Sequence, residues 1–269
     1  MITIITVCYN AADNLEKTIK SVLMQKNADI EYIIKDGKST DNTNEIIEKY
    51  RLQLEKNLRF IYVSEKDNGI YDAMNIATDL ASGNRVIFLN AGDMLYDGFV
   101  ISNVNKNEND IDILYGDIAV YYQNKQNINK SVNDDQLDAL KNRMVICHQA
   151  MFIKTILMKN YRYDTAYKIC ADYDFTLKAY LNEKSFKKIN QVISYFNLGG
   201  ISDRKAFDLI DEAYDIRYKY NLISETEYNN LIRKNEIKKF SRKLIPEKLY
   251  IKLKDYKKRY NSRNWDNIL

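Results

Sequence analysis

Ser64–Asp93 reads SEKDNGIYDAMNIATDLASGNRVIFLNAGD, and its punctuation decides the fold. Ser64 to Gly69 is polar and contains a glycine, the composition of a loop. Apolar residues then recur at Ile70, Ala73, Met74, Ala77, Leu80 and Ala81, a spacing that predicts a helix over Ile70–Leu80 with one face on a core. Ser82-Gly83-Asn84 ends it, with Gly83 expected as a left-handed cap. Val86–Leu89 runs apolar without alternation, as parallel strands buried on both faces do. Polarity returns at once in Asn90-Ala91-Gly92-Asp93. Ligands of open α/β sheets bind beyond the carboxyl ends of strands. A carboxylate there, behind a glycine that lets a ligand approach closely, points to a metal or phosphate site.

The same rhythm holds upstream. Ile2–Val7 is expected as a strand ending at Cys8-Tyr9-Asn10, and Leu15, Ile19, Val22 and Leu23 follow at helical spacing. Asp29–Ile34 reads as the second strand, ending in the polar Lys35-Asp36-Gly37-Lys38-Ser39-Thr40-Asp41. Ser39 or Asp41 is placed to cap a helix over Asn44–Leu54, and Leu58–Val63 is the third strand. Strand and helix alternating three times predict an α/β fold with a parallel, doubly wound sheet. After Asp93 the pattern changes. Ile111–Leu114 and Ile118–Tyr122 read as strands of a hairpin or sheet edge, and Gln123–Asn133 as an exposed loop. Asp134 or Asp135 would cap a short helix through Leu140, and a helix opens near Ile169–Phe175 and runs through Leu181. Val192–Asn197 reads as a strand stopping at Gly199-Gly200, Ala206–Tyr220 as an amphipathic helix, and the chain from Glu225 as two or three more helices.

The 269 residues suffice for one large or two small domains. A net charge of +4 hides an asymmetry: residues 233–269 hold 13 Lys and Arg against 4 Asp and Glu, and the remainder 28 against 33. A basic tail on an acidic body points to an anionic surface for the tail to meet. Three cysteines at no metal spacing suit a reducing compartment. The first residues lack the basic region of a signal peptide, and no apolar run approaches the roughly 18 residues of a membrane span. A cytoplasmic protein with at most peripheral membrane contact is expected. The 22 tyrosines suit a sugar- or lipid-facing surface or a biased composition alike.

Four places carry candidate chemistry. Asp36, at the end of the second strand, can accept hydrogen bonds from a base or ribose, or belong to a turn in which Ser39 or Asp41 does the capping. Asp93 can anchor a divalent ion whose other ligands are phosphates, since Mg²⁺ often takes one or two protein carboxylates, or be a solvated strand end. His148, in Cys147-His148-Gln149, can be a metal ligand, an acceptor contact or a core histidine. Asp172 and Asp174 open a helix, where carboxylates are favoured by the dipole. Two positions apart, they do not face each other, so one can serve as a general base while the other does something else.

Taken together, these residues resemble a bacterial glycosyltransferase of family 2, with the GT-A fold. The resemblance covers about Ile2–Gly200. It rests on Ile5-Thr6-Val7-Cys8-Tyr9-Asn10, on Asp36-Gly37-Lys38-Ser39-Thr40-Asp41, and on Ser64–Asn75 followed by Leu89-Asn90-Ala91-Gly92-Asp93. The last pair is similar to the subgroup that builds colanic-acid-like and capsular polysaccharides. The resemblance implies a mixed, mostly parallel sheet flanked by helices over residues 1–200, with a nucleotide-sugar half (1–98) and an acceptor half (99–200). Residues 201–269 would be a basic helical extension. It implies that Thr6, Tyr9 and Asp36 line the nucleotide pocket, that Asp67, Gly69 and Asp72 border the ribose and phosphates, and that Asn90 belongs to the nucleotide-sugar-binding set. Asp93 would be the last carboxylate of a metal-binding Asp-X-Asp motif, whose first position here is Ala91. His148, Gln149 and Asp174 would lie at the acceptor site. Asp172 would be the inverting base, with Ala171 in place of the acid that usually precedes it.

The implied reaction passes a sugar from a nucleotide donor, UDP-linked in this subgroup, to a saccharide acceptor, with Mg²⁺ or Mn²⁺ as cofactor and inversion at the anomeric carbon. The implied setting is surface polysaccharide synthesis (capsule, O-antigen or exopolysaccharide) on a lipid-linked acceptor. The tail would hold the protein at the inner face of the cell membrane; nucleic acid is not expected as a partner, because the body is acidic. Two alternatives stay open at this point. A nucleotidyltransferase shares the α/β layout but wants a glycine-rich phosphate loop near its start, and Met1–Asn27 contains no glycine. A non-catalytic nucleotide-sugar-binding module is compatible with the reduced Asp-X-Asp motif, although Asp172 is retained.

Overall fold

The structure, a computed structural model, describes residues 1–104, 110–122, 125–196 and 206–244. The expected strand end at Gly199-Gly200 and the tail beyond Leu244 lie outside these residues. The chain divides into two compact units, residues 1–140 with 144–200, and residues 141–143 with 201–269.

The first unit is built on a nine-stranded sheet. Its first half is β1 (Ile2–Cys8), α1 (Ala12–Leu23), β2 (Ile30–Asp36), α2 (Thr43–Asn57), β3 (Arg59–Ser64), α3 (Ile70–Leu80) and β4 (Arg85–Phe88). The strands lie in the order β3-β2-β1-β4, all parallel. β1, β2 and β4 are buried throughout, which accounts for their unbroken apolar runs. Ile4, Tyr32 and Ile34 share a core cluster with Leu15, Ile19 and Val22 of α1 and Ile47 and Leu54 of α2. The alternate face receives α3. Gly83 is not the left-handed cap expected of it: α3 ends at Ala81 in extended conformation, and among the described residues the left-handed glycines are Gly69 and Gly92. What Gly83 permits is close approach, since a Cβ there would fall 2.6 Å from Thr3 Oγ1.

The second half adds β5 (Met94–Leu95), α4 (Val100–Val104), β6 (Ile113–Tyr122), β7 (Lys125–Asn129), β8 (Met151–Lys154), α5 (Thr155–Tyr161), α6 (Ala171–Leu181) and β9 (Phe186–Phe196). β8 continues the sheet antiparallel to β4, β6 runs antiparallel to β8 and so in the direction of β4, and β9 runs parallel to β6. The two expected strands around Gly116 are one strand with an irregular register at Tyr115–Ile118. A Cβ on Gly116 would lie 2.6 Å from the Gln191 carbonyl oxygen, so glycine lets the two strands close there. Lys125–Asn129, read as loop, pairs with β6 as a hairpin strand.

The second unit contains α7 (Ala206–Lys219) and α8 (Glu225–Leu244). Lys239 Nζ pairs with Asp208 and Asp211, Tyr228 Oη donates to Asp215 at 2.6 Å, and Tyr218 stacks on Tyr228. Ile237 and Phe240 on α8 are 60% and 66% exposed.

Candidate active site

Three parallel strands end side by side, with Cys8, Asp36 and Ser64 in one register row. The buried Asp36 carboxylate accepts from Ser39 N at 3.0 Å, Ser39 Oγ at 2.5 Å and Ser64 Oγ at 2.7 Å. Asp41, not Asp36, braces the start of α2, accepting from Thr43 N at 3.0 Å and from Ala12 N at 3.1 Å. Gly37 separates the two roles: a Cβ on it would fall 2.9 Å from Asp67 Oδ2 and 3.3 Å from the Tyr9 ring. Tyr9 is 64% exposed beside this turn, as a residue that meets a ligand must be.

Lys35, which no local pattern singled out, holds this end of the candidate site together. It is 0% exposed, and its three ammonium protons have three acceptors: Glu65 O at 2.7 Å, Asp67 Oδ2 at 3.0 Å and Asp36 O at 3.1 Å. The available signal was a lysine closing an apolar strand, since a lysine is almost never fully buried without partners. Lys35 thereby fixes Asp67, whose other oxygen accepts from Gly69 N at 3.1 Å. Asp72 reaches back to Asn68 N and Nδ2 at 2.8 and 3.1 Å, and Gly69, at φ +120°, makes the entry into α3 that a side-chain-bearing residue rarely adopts. The loop 67–72 is thus a self-bonded turn at the mouth of the site.

The second cluster follows β4. Thr18 of α1 donates to Asp93 O at 2.7 Å and accepts from Gly92 N at 2.9 Å, holding the loop in which Gly92 stands at φ +108°. The buried Asp93 carboxylate accepts from Gln149 Nε2 at 3.2 Å, and Gln149 Oε1 accepts from Cys147 Sγ. Next to Gln149, His148 Nδ1 lies 2.8 Å from Asp172 Oδ2, and its Nε2 lies 3.3 Å from Asn90 Nδ2. An ionised carboxylate only accepts, so Nδ1 carries the proton toward Asp172. Burial lowers the His148 pKa, but the hydrogen bond and charge of Asp172 and the charge of Asp93 outweigh it, and the net shift is upward. Asn90 Oδ1 is buried without a hydrogen-bond partner. Turning that amide would offer its oxygen to a protonated Nε2 and put Nδ2 in the position of Oδ1, so Asn90 can meet either form of His148 through one end of its amide.

Three expected roles change with this geometry. Thr6 does not line a pocket: it is fully buried and its hydroxyl donates to Leu89 O at 2.7 Å while meeting Tyr32 Oη at 3.0 Å, tying β1 to the end of β4. Gln149 is buried against Asp93 rather than open to an acceptor. Asp174 is 3% exposed, turned into the body from α6, while Asp172 on the same turn meets His148. His148 itself faces Asp172 at the start of α6 and Asn90 in the loop after β4.

Among the described residues no cluster of three or more His, Cys, Asp or Glu could cage a metal ion. The donor set fits another kind of site: one buried carboxylate, Asp93, after a left-handed glycine, with remaining positions left to a ligand's phosphates.

The chain matches the family described as glycosyl transferase family 2 over residues 3–177, a span containing every candidate above. The chain belongs to this family. It is similar to the PGL/p-HBAD biosynthesis glycosyltransferase of Mycobacterium tuberculosis, with 32% identity over 209 residues, 76% of this chain and 79% of that protein. A shorter stretch of 93 residues is 37% identical to TuaG of Bacillus subtilis, named for teichuronic acid biosynthesis, covering 35% of this chain and 36% of that one. Among solved structures, S. aureus TarS 1-349 in complex with UDP-GlcNAc matches with a TM-score of 0.67 at 19% identity, over 89% of this chain and 72% of that one. The mannosyltransferase PcManGT from Pyrobaculum calidifontis, in complex with GDP-Man and Mn²⁺, matches with a TM-score of 0.63 at 15% identity, over 87% and 68%. The family 2 glycosyltransferase described here therefore has the GT-A fold, a curled mixed sheet with flanking helices, and is an enzyme of sugar transfer. That sets aside both the nucleotidyltransferase and the non-catalytic module.

Proposed function

We propose that this glycosyltransferase moves a sugar, with inversion, from a UDP-sugar to a lipid-linked saccharide in bacterial surface polysaccharide synthesis, in the manner of the colanic-acid and capsular subgroup. The observation that carries the reading is the dipeptide His148-Gln149. One residue hydrogen-bonds the carboxylate after β4 and the other the carboxylate that opens α6, so a leaving-group site and a base site share one rigid support. UDP-GlcNAc in the TarS structure favours a uridine donor.

Asp36 and Tyr9 would hold the base and ribose, and Asp67, Gly69 and Asp72 the edge of the phosphate site. Asp93 would hold a divalent ion, which when bound stabilises negative charge growing on the leaving diphosphate. Asp172 takes the proton from the acceptor hydroxyl. The freed oxygen attacks the anomeric carbon as the bond to the diphosphate breaks on the opposite face, and the leaving nucleotide carries away that electron pair. A thermal-shift panel of nucleotide sugars tests the donor. At a hundredfold excess over Kd a true donor adds about 2.7 kcal/mol of stability, and a UDP-sugar should do so while GDP- and CDP-sugars do not. A panel in which only GDP-sugars raise Tm would overturn the uridine assignment.

The membrane part of the reading rests on α8 and the chain after it. Ile237 and Phe240 are exposed on α8, among the exposed Arg233, Lys234 and Lys238. Among the described residues no helix is long and apolar enough to cross a membrane. A basic helix with exposed apolar residues suits the plane of an anionic headgroup layer, where each basic residue contributes about 1 kcal/mol, screened by salt. The basic residues from Lys248 to Arg263 extend the same charge. The protein should sediment with anionic vesicles at low salt and come off at high salt, and Ile237→Ser with Phe240→Ser should weaken that retention. Equal sedimentation with neutral and anionic vesicles would end the proposal.

A further inference from the structure

Tyr71 has no assigned role, yet it is the only side chain of α3 that reaches the catalytic carboxylate in the hydrogen bonds described. It is the second residue of α3, inside the self-bonded turn 67–72, two residues after Gly69 and just before Asp72. Its ring is buried against Tyr163, with centroids 5.2 Å apart, and Tyr163 in turn packs on Phe88 and Phe175. Its hydroxyl lies 2.6 Å from Ile169 O and 3.2 Å from Asp172 Oδ1. A phenol has one proton to donate, so two acceptors compete for it. Asp172 Oδ1 also accepts from Tyr173 N at 2.9 Å, and Oδ2 faces His148.

We propose that Tyr71 is a positioning residue for the base, which aims the Asp172 carboxylate from the donor-side helix and supports its ionised form through the shared phenol proton. This inference rests on the reading of Asp172 as base. When Asp172 is ionised, the Tyr71 proton is drawn to Oδ1. When Asp172 has taken the acceptor's proton, the same phenol proton turns to Ile169 O, so no buried donor is left unpaired in either state. Burial first, and then the charge of Asp172, push the Tyr71 pKa up, so the phenol keeps its proton through the working range. The groups set around Asp172 are Tyr71 from α3, His148 and Cys147 from the segment before β8, and Tyr163 from the segment before α6. The Cys147 thiol is pushed up to about 12 and Tyr163 is raised by burial and by Asp172, so both stay neutral. Of these neighbours His148 is the one whose charge can change, its pKa drawn upward by Asp172, and Tyr71 is the fixed donor opposite it. Because Tyr71 lies within the self-bonded turn 67–72, displacement of that turn moves the base as well, and an ordered donor loop goes with an aimed carboxylate.

Tyr71→Phe keeps the ring and removes only the hydroxyl. We expect kcat to fall roughly tenfold, the value of a hydrogen bond to a charged group, with donor KM changing less than twofold. A carboxylate that loses a donor holds its proton more tightly, so the acid limb of the kcat profile should move to higher pH. 3-Fluorotyrosine at position 71 gives the opposite sign: a more acidic phenol donates more strongly, and the acid limb should move to lower pH with the fold undisturbed. Asp172→Asn in the same assay separates the two levels of the argument. Full activity in Asp172→Asn would remove the base assignment itself. An inactive Asp172→Asn alongside Tyr71→Phe and fluorotyrosine proteins with unmoved pH profiles would overturn the role of Tyr71 alone, even if Tm fell. Should Tyr71→Phe not fold, the fluorotyrosine profile decides.

Discussion

Asp172→Asn should leave donor binding intact and lower sugar transfer about 10²–10⁴-fold, the range for a lost general base. The isostere keeps volume and can still accept from Tyr71, but it cannot take a proton from an acceptor hydroxyl. Its amide nitrogen, set against His148 Nδ1, would put donor against donor, so the ring must change tautomer. His148 is the only histidine in the chain, so its ring resonances report the change without assignment work. In the wild type burial lowers its pKa, and Asp172 and Asp93 raise it by more. With the Asp172 charge gone, burial regains weight and His148 should titrate at lower pH in the variant. The sign carries over to stability. A histidine raised in the folded state stabilises fully below its unfolded value of about 6.5, and that contribution is lost as pH rises through the folded value. The Tm advantage of wild type over Asp172→Asn should therefore be larger at pH 6 than at pH 8.5. Near-normal transfer by the variant would take Asp172 out of the mechanism, and an unchanged His148 titration would break the pair.

The parts of the fold that were legible are those where burial leaves a local mark. β1, β2 and β4 are buried on both faces and therefore read as unbroken apolar runs, and α3 shows its single buried face at helical spacing. Ile70–Leu80 is the helix in both the sequence and the structure. The second half of the sheet was less legible because its strands are less completely apolar. β9 begins at Phe186, six residues before the Val192 start expected of it, through Lys187, Lys188 and Asn190. β5 has two residues, too few for any periodicity, and α5 carries too short a pattern to stand out. The site divides in the same way. Carboxylates at strand ends, Asp36 and Asp93, announce themselves locally, because polarity returns abruptly after a buried run. The partners that hold them do not. Lys35 meets Asp67 across 32 residues, His148 meets Asp172 across 24, and Tyr71 meets Asp172 across 101, so only the packed sheet brings them together. Thr6 shows the limit of a resemblance: it implied a place in the nucleotide pocket, while the fold buries the Thr6 hydroxyl in the β1–β4 seam.

Asp93→Asn should abolish the contribution of a divalent ion to nucleotide affinity and lower kcat at least about 10²-fold, the loss seen when one preorganised stabiliser of developing charge is removed. The size follows from how little else the site offers a metal. Ala91 stands where the Asp-X-Asp pattern has its first carboxylate, and among the described residues no cluster of three ligating side chains exists. A single carboxylate balances half the charge of a divalent ion, and the diphosphate must balance the rest. Metal and nucleotide should therefore bind as a unit: Mn²⁺ weakly without UDP, UDP more tightly with Mn²⁺, and by the same factor in each direction, since the coupling is reciprocal. Asparagine keeps an oxygen that can accept from Gln149 Nε2, and the backbone bonds of residue 93 to Thr18 and Asn90 do not involve the side chain. The loop should thus keep its shape, and Tm should change little. Calorimetric titration of UDP with and without Mn²⁺, for wild type and variant, reads the coupling directly. The wild type should show a metal-dependent gain in affinity and the variant none. A variant that kept the full gain would place the ion elsewhere, whatever had happened to turnover.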